Sequence, residues 1–142
     1  MKRFSTLSPI PGFRRWLTQR LADGSDPDAA QLTELEKQSW WQDPAQSEKL
    51  RPGLMRLCAT YLTRRPSPGN RIDPVARFHL GNGARLERIN WLGNTELRAI
   101  QESFGIMVNY LYDRDSIEDN HEAFVRDGTI VRSPEVDTLL ET

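Results

Sequence analysis

The chain is poor in the residues that usually announce a function. It has one cysteine, Cys58, and two histidines, His79 and His121. A lone thiol excludes an internal disulfide framework and fits a reducing compartment. With so few thiol and imidazole groups, a zinc or iron centre is not expected. Apolar runs stay well short of the roughly 20 residues that a membrane helix needs, and no secretory apolar core stands near the start. The expected setting is therefore cytoplasmic, with no membrane partner. Neither sign of charge dominates: the net charge is −1, so nothing in the total points to nucleic acid or an anionic lipid surface. A dinucleotide-binding glycine fingerprint, a P-loop and a nucleophile elbow are all missing.

What is present suits one folded unit over residues 1–142. A chain of 142 residues matches the common domain size and buries roughly 70% of its unfolded surface. Hydrophobic residues make up 37% and charged residues 27%, the balance of a globular chain.

The order of local signals is mixed α and β. Phe4 to Leu7 has strand propensity, and Pro9 and Pro11 push Ser8 and Ile10 toward extended geometry. A helix is predicted from about Pro11 to Leu21, with Phe13, Trp16, Leu17 and Leu21 on one face and Arg14, Arg15 and Arg20 as a solvated face. A loop follows over Ala22 to Pro27, then a second helical pattern after Asp28 with Leu32 and Leu35. Asp43-Pro44 opens a third helix, expected to break near Pro52-Gly53 and to resume through Leu54, Leu57, Cys58, Tyr61 and Leu62. Arg65 to Arg71 reads as an exposed loop. Asp73-Pro74 starts a two-turn helix that the Gly81-Asn82-Gly83 cluster stops. Ala84 to Trp91 alternates as a strand, and Asn94 is a candidate cap for a helix through Ser103. Gly105 to Tyr112 is the clearest strand, apolar enough to be central. Beyond Asp113 the chain is polar, with His121 in a solvated loop, until a terminal helix begins at Ser133-Pro134. Residues 113–142 read as a variable tail. Phe4–Leu7 and the Gly105–Tyr112 strand are expected to lack sheet neighbours.

Longer strings carry more information than single motifs. Leu7-Ser8-Pro9-Ile10-Pro11-Gly12-Phe13, Gln46 to Leu50, Leu54 to Ala59, and Asp73-Pro74-Val75-Ala76-Arg77-Phe78-His79-Leu80 follow one another. Asn82-Gly83-Ala84, Arg88 to Trp91 and Gly105 to Tyr110 complete the series. Together they resemble the carboxy-terminal part of malonyl-CoA decarboxylase, from about Phe4 to Tyr112. The resemblance implies an α+β chain: the later portion of a GNAT-like acyl-CoA fold, with few strands and several helices. It implies conversion of malonyl-CoA to acetyl-CoA and carbon dioxide, within fatty acid metabolism, without an added cofactor. Catalytic positions would be Ser8 and His79; Tyr112 would line the substrate site with them. The loop that holds the CoA pyrophosphate lies upstream in the family, so this chain alone is expected to be inactive. A homo-oligomer is expected of the full-length enzyme.

That chemistry is consistent with these side chains. Loss of carbon dioxide leaves an enolate that the thioester itself delocalises. The protein must orient the carboxylate, stabilise the oxyanion and return a proton to carbon. Histidine titrates near pH 6.5 and suits the last task. His79 would sit near a helix C-terminus, where the dipole favours imidazolium. Ser8 would orient substrate rather than attack it, because the reaction needs no acyl-enzyme. Taken residue by residue, blander roles come first: Ser8 as a turn residue, His79 as a packed histidine, Tyr112 as a strand-end aromatic, and Cys58 and Met107 as core. Two other functions remain open at this point. One is an acyltransferase on the same fold; the other is an inactive piece that only binds a partner.

Overall fold

The structure, a computed structural model, describes residues 3–22, 40–69 and 71–141. The loop after Ala22 and the helical pattern at Leu32 and Leu35 lie outside the described residues. The elements are β1 (Arg3–Ser5), α1 (Phe13–Ala22), a 3-10 turn (Trp40–Gln42), α2 (Pro44–Thr63) and α3 (Pro74–Gly81). They are followed by β2 (Arg85–Asn90), α4 (Leu97–Ser103), β3 (Met107–Asp113), α5 (Ile117–Asp127) and α6 (Pro134–Glu141). The fold is α+β, as expected.

The three strands form one antiparallel sheet in the order β1-β3-β2. β3 is central, and its start, Met107 and Val108, is buried as the apolar run from Gly105 suggests. One expectation is corrected here: β1 and β3 do not lack neighbours, because they pair with each other. Phe4 faces Tyr112 in that register, and Ser8 makes an isolated bridge to Val108. The partner of the first strand is simply far along the chain, where local pattern cannot show it. Glu87 is an extra residue in β2, between Leu86 opposite Tyr110 and Arg88 opposite Asn109.

Two helices differ from the sequence expectation. α2 runs unbroken through Pro52, which has no N–H for the preceding turn and costs about 3 kcal/mol in a helix interior. Leu50, Leu54, Leu57, Cys58, Tyr61 and Leu62 lie on its buried side, and that burial offsets the missing bond. The polar stretch after Asp113 contains α5, an entire helix. It is missed because its apolar residues are few and set among charged ones; none is fully buried, and Phe124 packs partly against the core. Gly83 makes room for it, since a Cβ there would lie 2.3 Å from the Ile117 carbonyl oxygen. Asn120 Nδ2 donates to the Gly83 carbonyl and His121 Nδ1 donates to that of Gly81, so His121 is exposed but on a helix and bonded. Asn94 accepts from the Glu96 amide and forms a turn ahead of α4, whose cap position is Glu96. Residues 133–141 are folded too: Ser133 Oγ donates to the Glu87 carbonyl, and Val136 is fully buried.

Asp73 ties these parts together. Its Oδ2 accepts from the Val75 amide and caps α3. Its Oδ1 accepts from the Gly12 amide at 2.8 Å and from Tyr61 Oη at 2.9 Å. One buried carboxylate thus joins the segment after Ser8, the end of α2 and the start of α3. A side chain at position 12 would exclude this arrangement, because its Cβ would fall 2.3 Å from Tyr61 Oη. Asp43 is the useful contrast: it caps α2 through the Ala45 amide, but it is exposed and its side chain bonds no distant group among the described residues. Asp43→Ala should therefore cost about 1 kcal/mol, the ordinary worth of a cap. Asp73→Ala also leaves the buried Tyr61 hydroxyl and the half-buried Gly12 amide without an acceptor and should cost roughly 3–5 kcal/mol. Urea unfolding of the two variants decides the matter; equal losses would mean that the distant bonds of Asp73 contribute nothing.

Candidate active site

Ser8, His79 and Tyr112 come from three separate elements and meet at one point. Ser8 follows β1 and is held by reciprocal backbone bonds with Val108, N to O at 2.8 Å and 2.9 Å. Ile10, two residues on, is fully buried, so the Pro9-Ile10-Pro11 segment is pinned to the core. His79 lies in the last turn of α3, on the side facing the sheet. Tyr112 is near the end of β3.

The side chains form a line. Ser8 Oγ is 3.2 Å from His79 Nε2, and His79 Nδ1 is 2.6 Å from Tyr112 Oη. On the far side of Ser8, Thr6 Oγ1 lies 2.9 Å from Ser8 Oγ. The His79 ring stacks on Tyr110, with centroids 4.5 Å apart, and meets Phe78 edge to face. Phe4 stacks on the other face of the cluster against Tyr112 at 4.8 Å. Phe4 and Phe78, which touch Tyr112 and His79, are themselves exposed, so the cluster carries an apolar rim. Tyr110 contributes its ring alone: its hydroxyl is buried with no partner among the described residues.

This setting decides the charge of His79. Burial among aromatic rings holds its pKa below the ordinary value of about 6.5. The helix-end dipole predicts the opposite sign, and it loses. α3 is only eight residues long, and a dipole effect is worth a few tenths to 1 kcal/mol at a helix end. Burial also raises the pKa of Tyr112, opposed by a bond from Asn82, so the phenol stays protonated near neutral pH. Asp73 is raised by burial despite the bonds it accepts from Gly12, Tyr61 and Val75.

Thr6, Tyr110 and Asp73 are the members that sequence reasoning missed. Asp73 carried a visible cap signal, but nothing in the sequence showed its bond to Gly12. Thr6 stands two residues before Ser8 on the same side of an extended segment, which is a signal the period of two supplies. Among the described residues no group of three or more His, Cys, Asp or Glu is assembled that would hold a metal. Cys58 is buried and Met107 nearly so, both in core positions.

Two cavities lie elsewhere. One of about 340 Å³ sits between α2, β2 and α6, lined by Arg51, Arg88 and Trp91 among others. A larger one of about 1190 Å³ sits between α1, the end of α2, α3 and α5, and Gly12 is its nearest approach in sequence to Ser8. The Ser8–His79–Tyr112 cluster lines neither and lies beside the edge strand β1, with Ser8 buried and His79 and Tyr112 half-buried. We assign the candidate site by its side-chain chemistry, because the cavities hold no comparable cluster of acid–base groups.

Residues 1–142 match the family described as malonyl-CoA decarboxylase C-terminal domain, so the match continues past Tyr112. The chain is similar to the mitochondrial malonyl-CoA decarboxylase of Anser anser anser, at 35% identity over 159 aligned positions, covering 96% of this chain and 32% of that protein. It is also similar to the crystal structure of malonyl-CoA decarboxylase from Agrobacterium vitis. There the TM-score is 0.91 at 44% identity, covering 99% of this chain and 36% of that one. The corresponding structure from Rhodopseudomonas palustris gives 0.91 at 41% identity, covering 97% and 33%. The chain spans about a third of the length of these relatives.

The lowered His79 pKa has a measurable consequence. An NMR titration of the ring should give a midpoint below 6.5. Between that midpoint and 6.5 the unfolded chain binds more protons than the folded one, so stability should rise with pH through this window. His79→Gln should remove that part of the slope. A midpoint at or above 6.5 would restore the dipole as the controlling effect.

Proposed function

The chain belongs to the malonyl-CoA decarboxylase family, whose C-terminal domain it matches over residues 1–142, and on that premise we propose that Ser8, His79 and Tyr112 handle the malonyl end of malonyl-CoA. The product is acetyl-CoA, and the reaction is a carbon–carbon bond cleavage that releases carbon dioxide. The observation that carries this reading is the direct approach of Ser8 Oγ to His79 Nε2, with Tyr112 Oη at the other ring nitrogen. No added cofactor is invoked, because the thioester is its own electron sink. The GNAT-like acyl-CoA fold and a cytoplasmic role in fatty acid metabolism belong to the same reading.

Ser8 donates a hydrogen bond to the malonyl group and fixes its carboxylate out of the thioester plane. The bond to the carboxylate carbon breaks, carbon dioxide leaves, and the electron pair passes into the thioester as an enolate. His79 then delivers a proton to the α-carbon. Free His79 is largely neutral at pH 7, but the anionic substrate beside it favours the charged form and raises its pKa again. The proton donor is thus formed by the arrival of the substrate. Tyr112 holds the other side of the ring.

Each step has a side chain to remove. The assay is carbon dioxide release from malonyl-CoA, with acetyl transfer measured alongside. It is run on this chain supplied with the upstream part that the family resemblance implies. His79→Asn should lower turnover roughly 10²–10⁴-fold with little change in thioester binding. Ser8→Ala should slow the reaction, while Ser8→Thr should retain part of it. Near-normal turnover of His79→Asn would remove His79 from the chemistry, and a trapped acyl-serine would make Ser8 a nucleophile. Acetyl transfer without decarboxylation would favour an acyltransferase. This chain alone should release no carbon dioxide; release by it would place the CoA site within these residues.

A further inference from the structure

Thr6, at the end of the Ser8–His79–Tyr112 line, occupies an unusual place in the sheet. Its amide donates to the Tyr110 carbonyl at 3.0 Å, as an antiparallel ladder requires. The reciprocal bond is diverted. The Thr6 carbonyl instead accepts from Asn109 Nδ2 at 2.8 Å, and Asn109 Oδ1 accepts from Asn90 Nδ2 at 2.9 Å. The Tyr110 amide turns to the Thr6 hydroxyl, with N to Oγ1 at 3.4 Å. The ladder resumes normally at Ser8 and Val108.

This diversion fixes a direction. A backbone amide only donates, so Thr6 Oγ1 accepts from Tyr110 and has its own hydrogen to give. The neighbour within reach is Ser8 Oγ, at 2.9 Å. At the other end of the line Tyr112 is a phenol, 2.6 Å from His79 Nδ1. If it donates there, the neutral imidazole carries its proton on Nε2 and donates to Ser8. Ser8 Oγ would then accept twice, which leaves its hydrogen pointing away from both donors and free for a third partner.

We infer that Thr6 is a positioning residue: its hydroxyl donates to Ser8 Oγ and, with the Nε2–H of His79, turns Ser8 into a hydrogen-bond donor aimed at an oxygen of the bound acyl group. Resting on the decarboxylase reading above, this adds the polarity of the site. A serine that accepts from its histidine is not being deprotonated by it, so the line is wired to orient a carboxylate or thioester oxygen and not to attack one. The Asn90–Asn109 pair belongs to the same device, since it satisfies the Thr6 carbonyl and so releases the Tyr110 amide to the side chain.

Two measurements test it, and the first needs no activity. In this chain with isotope-labelled histidine, ring nitrogen–proton NMR above the His79 midpoint reports which nitrogen carries the proton. The chain has two histidines, and His121→Gln assigns them. The expected form has the proton on Nε2, and Tyr112→Phe should shift His79 toward the Nδ1–H form. A wild-type Nδ1–H form, or a tautomer indifferent to Tyr112→Phe, would overturn the polarity. The second is kinetic, in the assay described above. Thr6→Val keeps the shape and removes the hydroxyl; it should lower kcat roughly 3–10-fold, the worth of one hydrogen bond, and leave KM nearly unchanged. Thr6→Ser should restore kcat. Unchanged kcat in Thr6→Val, or no rescue by Thr6→Ser, would overturn the role of Thr6. Should Thr6→Val not fold, Thr6→Ala takes its place. Absence of decarboxylation altogether would sink the functional reading, while the tautomer result would still stand or fall by itself.

Discussion

The carboxylate of Asp73 is the constraint from which the site follows. A buried carboxylate is tolerable only if its lone pairs are used, and here they are used by groups from three places: Gly12, Tyr61 and Val75. Those three places are the exit of the Ser8 segment, the end of α2, and the first turn of the helix that carries His79. Fixing Asp73 therefore fixes the distance between Ser8 and His79, which lie far apart in sequence. Desolvation nevertheless wins over these bonds and leaves the carboxyl with a raised pKa. The same buried charge pushes up the neighbouring Tyr61, Cys58 and Tyr110, though burial is the larger cause for each. None of those three is therefore a candidate acid or base near neutral pH, and the chemistry is left to His79.

The candidate site is built on the sheet as much as on the helices. Tyr110 and Tyr112 alternate by two along β3, so both meet His79: one below the ring and one at Nδ1. Phe4 covers Tyr112 because β1 pairs in a register that sets them opposite. The resulting apolar enclosure lowers the His79 pKa, and it would also strengthen hydrogen bonds to a bound acyl group by excluding water. One packing arrangement thus serves both the resting neutrality of the histidine and its response to an anionic substrate.

Much of this was legible in the sequence. Asp43-Pro44 and Asp73-Pro74 each marked a helix start, the apolar run from Gly105 marked the central strand, the longer strings contained Ser8 and His79, and the resemblance they carry added Tyr112; the fold brings the three together. The failures share a cause. Pairing of β1 with β3 spans most of the chain, so no local pattern contains it. Pro52 was weighed as a breaker, but burial of the surrounding apolar face outweighs one lost bond. α5 is polar overall, with its few apolar members set among charged residues, and the bonds that dock it run to Gly81 and Gly83, distant in sequence. The sign of the His79 shift needed the rings around it, and only the short helix dipole was visible beforehand. Thr6 looked like one more strand residue until the diverted Tyr110 amide gave its hydroxyl a direction.

If Asp73 sets the Ser8–His79 junction, loosening it should be felt at His79 even though the two side chains are not bonded. The most direct measurement is the NMR titration of His79 in Asp73→Ala, under conditions where circular dichroism shows the chain still folded. The midpoint should rise toward 6.5 relative to the unaltered chain, as the ring loses its enclosure to water. An unchanged midpoint in a folded Asp73→Ala protein would mean that the site stands without Asp73, and would contradict its place at the centre of the structure.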